Sequence, residues 1–385
     1  MLQRLEKQQQ ALLLQAAALA DRVRVEVDKA NKLRQDLIAQ GQKEDSPVVK
    51  GAAAQAKATE ELLASLAECK PPAAARKSVR KHIPKHLAKT CIVPKRRAKD
   101  QYGNPVVTRD GRSYDPETGL PYEIWLKQPV MELVLVPAGK FTMGGDAGQP
   151  ACEVEVDAIY IGKYEVTNKQ YKAFVDAKPE WRKDRIDPKL HDGNHLHHWQ
   201  GDSYPSDKSD HPVVYVSWFA ARAFCEAVGA RLPTEAEWER AARGTDRRAY
   251  PWGNEWDRNK CNSACYWAKR DFANDAERKA WFDGGGNKIA TTTQVGRFRL
   301  GASPYGALDM AGNVWEWCSS INKPYPYRAD DGREDPNASG SRVLRGGSWF
   351  NLVRHVRSAF RNVALPASTS FDLGFRVVVI FPPPR

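Results

Sequence analysis

Three helix-start signals bound what most of this chain can fold into. Thr167 with Gln170, and Thr234 with Glu237, have capping-box spacing: the threonine hydroxyl takes a backbone N–H three residues on, and the longer side chain reaches back. Ser217 stands as an N-cap before "WFAARAFCEAV". Gly229 and Gly244 close the second and third of these runs, where a glycine commonly ends a helix. Helices this short do not make a bundle. Strand-like runs surround them: "MELVLVPAGKFTMGG" reads as strand, turn, strand, and "YIG" and "VVYV" read as strands leading into the first and second helices. "VLRGGSW" and "GFRVVVIF" read as two closing strands, and regular structure thins out after Gly244. With 12 Trp, 27 Gly and 25 Pro, the expectation is a loop-rich α+β domain over 129–385, held by aromatic packing.

The chain before this domain has another character. Residues 1–39 lack Gly and Pro and repeat apolar residues at helical spacing; Gly41 and Ser46-Pro47 interrupt, and a second helical run spans Val48 to Leu66. A helical hairpin or coiled coil over 1–69 follows, and self-association is expected because neither helix buries its apolar face alone. Residues 70–128 read as a basic, Pro/Gly-rich linker. The net charge of +12 is concentrated there: from Lys70 to Lys99 eleven residues are Lys or Arg and none is Asp or Glu. Such a run binds nucleic acid or an acidic partner, or is a solvated linker. It interleaves no Phe, Tyr or Trp, which weakens a base-stacking reading. No apolar window is long enough for a membrane span, and the N-terminal start is too polar for a signal peptide, so a cytoplasmic protein is expected. The seven cysteines are scattered and odd in number, which suits free buried thiols; Cys261 and Cys265 lack a second pair at zinc spacing.

"ELVLVPAGKFTMGG", "YEVTNKQYKAF", "PVVYVSWFAARAFCEAVGARLPTEAEWERAARG", "YPWGNEW", "GALDMAGNVWEW", "RVLRGGSW" and "LGFRVV" together resemble the formylglycine-generating enzyme (sulfatase-modifying factor) family, from about Met131 to Ile380. The resemblance implies a C-type lectin-like fold of that type. It also implies, for members that make formylglycine, a copper-binding cysteine pair after the Gly-Gly-Ser-aromatic motif. The corresponding positions here resemble Asn351 and Val356, and no cysteine follows Cys318. A soft copper site needs thiolates, so neither formylglycine chemistry nor copper is expected, and no catalytic residue is assigned. Other relatives hold iron with histidines from a helical domain. His82 and His86 have suitable spacing, but Pro84 lies between them and no carboxylate follows, so iron is not expected either. His191, His195, His197 and His198 read as a polar surface loop. Calcium is the metal the resemblance favours. It implies side-chain oxygens from Asp309 and Glu316 with main-chain oxygens from Gly312 and Val314, and a second set from Asn262, Ser263, Asn287 and Ile289.

The stretch from Phe350 to Leu373 contains no Lys, Glu, Gln, Met or Trp, although these types make up 79 of the 385 residues. Random replacement of the adenines in Asn codons can produce every residue type found in the stretch and none of those five. This is similar to the variable proteins of diversity-generating retroelements, some of which display a hypervariable C-terminal patch on the same fold. That resemblance implies a ligand-binding face made of Phe350, Asn351, Leu352, His355, Phe360, Asn362, Val363, Ala364, Leu365, Ser368, Thr369, Ser370, Phe371 and Asp372. Its partner would be an unknown protein or surface ligand. The alternatives are ordinary core packing of these residues, and a metal-dependent oxidase or oxygenase of the family.

Overall fold

A computed structural model describes residues 115, 120–146 and 149–380, with the backbone of Cys91–Ile92. The expected helical hairpin over 1–69, the rest of the basic run, and His82 and His86 lie outside the described residues. In chain order the strands are β1 (Cys91–Ile92), β2 (Glu123–Lys127), β3 (Val130–Val136), β4 (Gly139–Met143), β5 (Cys152–Val156) and β6 (Ile159–Gly162). The helices α1 (Asn168–Ala177), α2 (Trp218–Ala227), α3 (Glu235–Arg243), α4 (Ala264–Ala268) and α5 (Asp275–Asp283) follow. Strands β7 (Trp315–Ile321), β8 (Arg342–Arg345), β9 (Asn362–Ala364), β10 (Leu373–Gly374) and β11 (Val378–Ile380) close the domain.

Two sheets organise it. The first has the order β1-β2-β3-β6-β11, and the closing strand pairs antiparallel with β6, Val378 opposite Ile161. The second has the order β10-β7-β8-β9, and β4 and β5 form a separate ribbon. Strand β2 falls inside the segment read as linker. The folded domain therefore reaches back at least to Leu120, because Ile124 and Leu126 are buried in the core beside Leu133 and Tyr160.

Both capping boxes form, and Ser217 caps α2 through the Ala220 N–H. Stacked Tyr171 and Phe224, 5.7 Å apart, clasp α1 to α2, and Phe375 packs edge-on against both. The "VVYV" run departs from expectation. Tyr215 has φ 58°, which breaks any strand there, and the segment instead bonds singly to Val166, Leu196 and Ser370. All nine residues of helix α3 are buried, its charged ones included. Its charges are paired: Arg345 lies 2.5 Å from Glu235 and 2.9 Å from Glu239, and Arg243 lies 2.8 Å from Glu239. Buried charges persist only with such partners. Among the described residues no helix is long and apolar enough to cross a membrane.

Candidate functional site

The stretch singled out in the sequence crosses the second sheet from one edge to the other. It leaves β8 through Gly346 and Gly347, supplies the edge strand β9, and returns as β10 alongside β7. Gly347 has φ +72°, and a Cβ there would stand 2.8 Å from both the His355 carbonyl and Val356, so only glycine fits. Ties from several elements hold the path between. Trp218 N–H donates to Pro366 O, Thr369 N–H and hydroxyl donate to Asp192, Arg361 Nη1 donates to the Lys323 carbonyl, and Arg357 pairs with Asp146.

Its members divide by burial. Leu352 is 2 % exposed and packs against Ala264, Cys265 and Phe272, so it supports the surface from below. Asn351 and Asp372 belong to a polar floor. Asn351 Oδ1 accepts the Ser348 N–H at 2.9 Å, and Ser348 Oγ lies 2.8 Å from both Asn351 Oδ1 and Asp372 Oδ2. Ser370 Oγ donates to Asp372 Oδ1 at 2.6 Å. Burial raises the Asp372 carboxyl, and the serine hydroxyls partly offset this. Ser348 is fully buried and bonded to no histidine, so it is not presented as a nucleophile.

The outer surface is apolar and aromatic. Leu365 is 65 % exposed, and Val363 and Phe371 are 39 % exposed. Phe350 meets Phe282 of α5 at 4.7 Å and Phe371 at 5.7 Å, both edge to face, and Trp349 stands behind them. The Arg278 guanidinium lies 3.9 Å from the Phe350 ring centroid and donates from Nη1 to the Phe350 carbonyl. Each aromatic pair adds about 1 kcal/mol beyond area burial, so the rings are fixed before any partner arrives. Phe360 is half-buried, with His355 edge-on at 4.9 Å. Asn362 is exposed, and Ala364, Ser368, Thr369 and Ser370 are half-buried.

Beneath this face lies a buried charge cluster. Both Glu316 oxygens receive the Arg376 guanidinium at 2.6 Å, and Oε2 also accepts Trp238 Nε1 at 2.7 Å. Asp309 accepts the Gly296 N–H, and burial pushes its carboxyl up to about 6. Glu165 is raised further by burial beside Asp309 and Glu316, and one of its oxygens has no partner. Asn313 joins the loops: its side chain accepts from Asn262 Nδ2 and Thr293 N–H and donates to Glu165. Gly312 allows this approach, since a Cβ would lie 2.1 Å from the Asn262 carbonyl oxygen.

The sequence that builds these loops and strands is matched in known proteins. Residues 125–380 match the family model described as sulfatase-modifying factor enzyme 1-like domain. The chain belongs to that family. Its fold is accordingly the C-type lectin-like fold of the formylglycine-generating enzyme type. Among its relatives, hercynine oxygenase of Mycolicibacterium smegmatis is 32% identical over 298 residues, covering 68% of this chain but 64% of that protein, so the chain spans under two thirds of it. Formylglycine-generating enzyme of Mus musculus is 32% identical over 286 residues, covering 64% of this chain and 74% of that protein. A solved structure titled Treponema denticola variable protein 1 is similar with a TM-score of 0.46 and 24% identity, over 65% of this chain and 95% of that one.

Of the two residues that the resemblance set against the cysteine pair, Asn351 is locked to Ser348 and Val356 is fully buried. Three of the residues expected at the calcium sites have protein partners. Arg376 supplies the cation to Glu316, Asn262 is bonded to Trp267, Asn313 and Thr291, and the Ser263 hydroxyl caps α4. Asn287 and Ile289 lie exposed on the turn after α5. Among the described residues no group of three or more His, Cys, Asp or Glu is placed to hold a metal ion. Arg376 pairs with Glu316 alone among the three buried carboxylates Glu165, Asp309 and Glu316, and among the described residues Glu165 Oε1 has no partner. Cys225, Cys261, Cys265 and Cys318 are unbonded and buried.

The histidine loop is a polar surface in part: Asp192, Gly193, Asn194 and His197 are exposed and His191 and His198 half-buried, but His195 departs from that expectation. His195 is 2 % exposed with Nε2 3.2 Å from the Trp181 carbonyl, and Leu196 and Trp199 beside it are core residues. Burial lowers both His195 and His198 to about 4. Through Asp192 this loop forms one wall of the face. Sequence reasoning missed Asp192, Arg278 and Phe282, because only the tertiary fold brings them to the stretch.

Proposed function

We propose that this protein is a binding protein whose partner-specific face is the outer surface of residues 350–371, diversified by a retroelement and presented by the sulfatase-modifying factor scaffold. One observation carries the reading. Arg354, Asn362, Val363, Leu365 and Phe371 are exposed, and three of these five hold large apolar side chains where Lys, Glu or Gln would ordinarily stand. Burial therefore does not account for the missing residue types, and exposed apolar patches mark interaction surfaces. The pre-formed backbone limits the entropy lost on binding. The working members are Phe350, His355, Phe360, Asn362, Val363, Ala364, Leu365, Ser368, Thr369, Ser370 and Phe371; Asn351, Leu352 and Asp372 hold them up. Self-association through 1–69 would multiply weak contacts by avidity, and the basic run over 70–99 would add an acidic or nucleic-acid partner.

A display library tests this. Asn362, Val363, Leu365 and Phe371 are randomised together in the full chain and selected against hen lysozyme. Folded clones that bind are expected. Loss of folding in most clones, or no binder from a library that folds, would refute the reading. The second reading, a metal-dependent oxygenase, draws on the relatives named hercynine oxygenase and formylglycine-generating enzyme. Stoichiometric iron or copper in the purified chain, with oxygen consumption, would favour it.

A further inference from the structure

A pocket of about 370 Å³ lies apart from the display face, lined by Arg258, Asn259, Tyr266, Trp267 and Lys269. The local sequence "DRNKCNSACYWAK" builds it from two capped turns. Asp257 caps the turn Arg258–Lys260 and Ser263 caps α4. Lys269 ends the helix in the left-handed region, φ 55°, and Arg258 Nη1 donates to its carbonyl at 2.7 Å, tying turn to helix end. The aromatic walls are held still. Trp267 Nε1 donates to buried Asn262 Oδ1 at 2.7 Å. Tyr266 packs edge-on against Phe298 at 4.9 Å and receives Arg297 Nη2 on its hydroxyl at 3.0 Å.

The lining contains two cations and no carboxylate. Asp271 pairs with Arg258, but the exposed Lys269 ammonium and the Asn259 side-chain amide have no hydrogen-bond or ion-pair partner among the described residues. Arg297 stands over the Tyr266 ring and has no ion pair among the described residues. Fixed rings beside unpaired donors suit a flat ligand with a negative group, and the volume is within the range of small-molecule sites. The geometry points to a binding site for a planar aromatic ring carrying a phosphate, of nucleoside monophosphate size. A free nucleotide and the end of a single strand share this chemistry.

The site shares no residue with 350–373, so its test is independent of the display reading. Calorimetry on the full chain uses adenosine monophosphate, adenosine and inorganic phosphate as probes. Binding of the monophosphate with a Kd at or below about 1 mM is expected. Adenosine and phosphate alone should each bind about tenfold more weakly, because each lacks half of the recognition. Lys269→Gly, which keeps the left-handed turn, should weaken monophosphate binding about tenfold with an unchanged melting temperature. Tyr266→Leu should weaken it as well. Displacement of the monophosphate by a short single-stranded oligonucleotide would identify a nucleic-acid end as the source; failure to displace it would identify the free nucleotide. No monophosphate binding, equal binding of adenosine, or undiminished binding by Lys269→Gly would overturn the assignment.

Discussion

Arg376 shows how much single residues decide here. It is fully buried, chelates Glu316 and also donates to the Gly162 and Leu308 carbonyls. Removing one partner of a buried pair strands the other charge. Arg376→Met should cost about 3–5 kcal/mol in denaturant unfolding, and a cost under 1 kcal/mol would show that the carboxylates find other partners. The stretch 350–373 gives a second contrast between neighbouring types. Leu365→Ser should change stability by about 0.5 kcal/mol or less, whereas Leu352→Ser should cost about 3 kcal/mol through a polar group in a closed cluster. Equal costs would mean that both leucines are core. Sequence alone marked both as projecting; Leu352 is inside because Ala264, Cys265 and Phe272 come to cover it, a tertiary event with no local signal.

At the scale of elements, what could be read depended on how local the cause was. The capping boxes at Thr167 and Thr234 were legible because every partner lies within three residues. Helix α5 was not: none of its residues is buried, so no apolar stripe announces it, and the Asn274 cap with the acidic first turn of Asp275 and Glu277 marks its start. Within the loop 191–199 the burial of His195 has no local signal, because it rests on a distant partner, the Trp181 carbonyl. That loop makes a pH prediction. His195 and His198 have folded pKa values near 4, below the ordinary 6.5, so their neutral forms stabilise the fold. This stability is complete above pH 6.5 and is lost as pH falls towards 4. Glu165 and Asp309 are raised and act in the opposite sense, so a variant must isolate the effect. Between pH 7 and 4.5 the parent should lose about 2 kcal/mol more than His198→Phe in urea unfolding. Parallel losses would remove His198 from the account.

For the whole molecule, the scaffold pins the irregular C-terminal path to the second sheet, to α2 and to several loops. An internal guanidinium lies in the carboxylate cluster where the family resemblance implied calcium. Calcium at the Asp309–Glu316 loop should raise the melting temperature by several degrees in millimolar calcium over excess EDTA, and an unchanged melting temperature would leave Arg376 as the cation of that cluster. The fold class was legible from ordered motifs spread along the chain. The division of residues 350–373 into support and surface was not, because it depends on which elements pack beneath them. The role given to that surface is decided most directly by sequencing the DNA beside the gene. An Asn-rich near-repeat differing from codons 350–373 only at adenines, with a reverse transcriptase nearby, is expected. Flanking DNA with no such repeat would contradict diversification and leave the apolar face without its explanation.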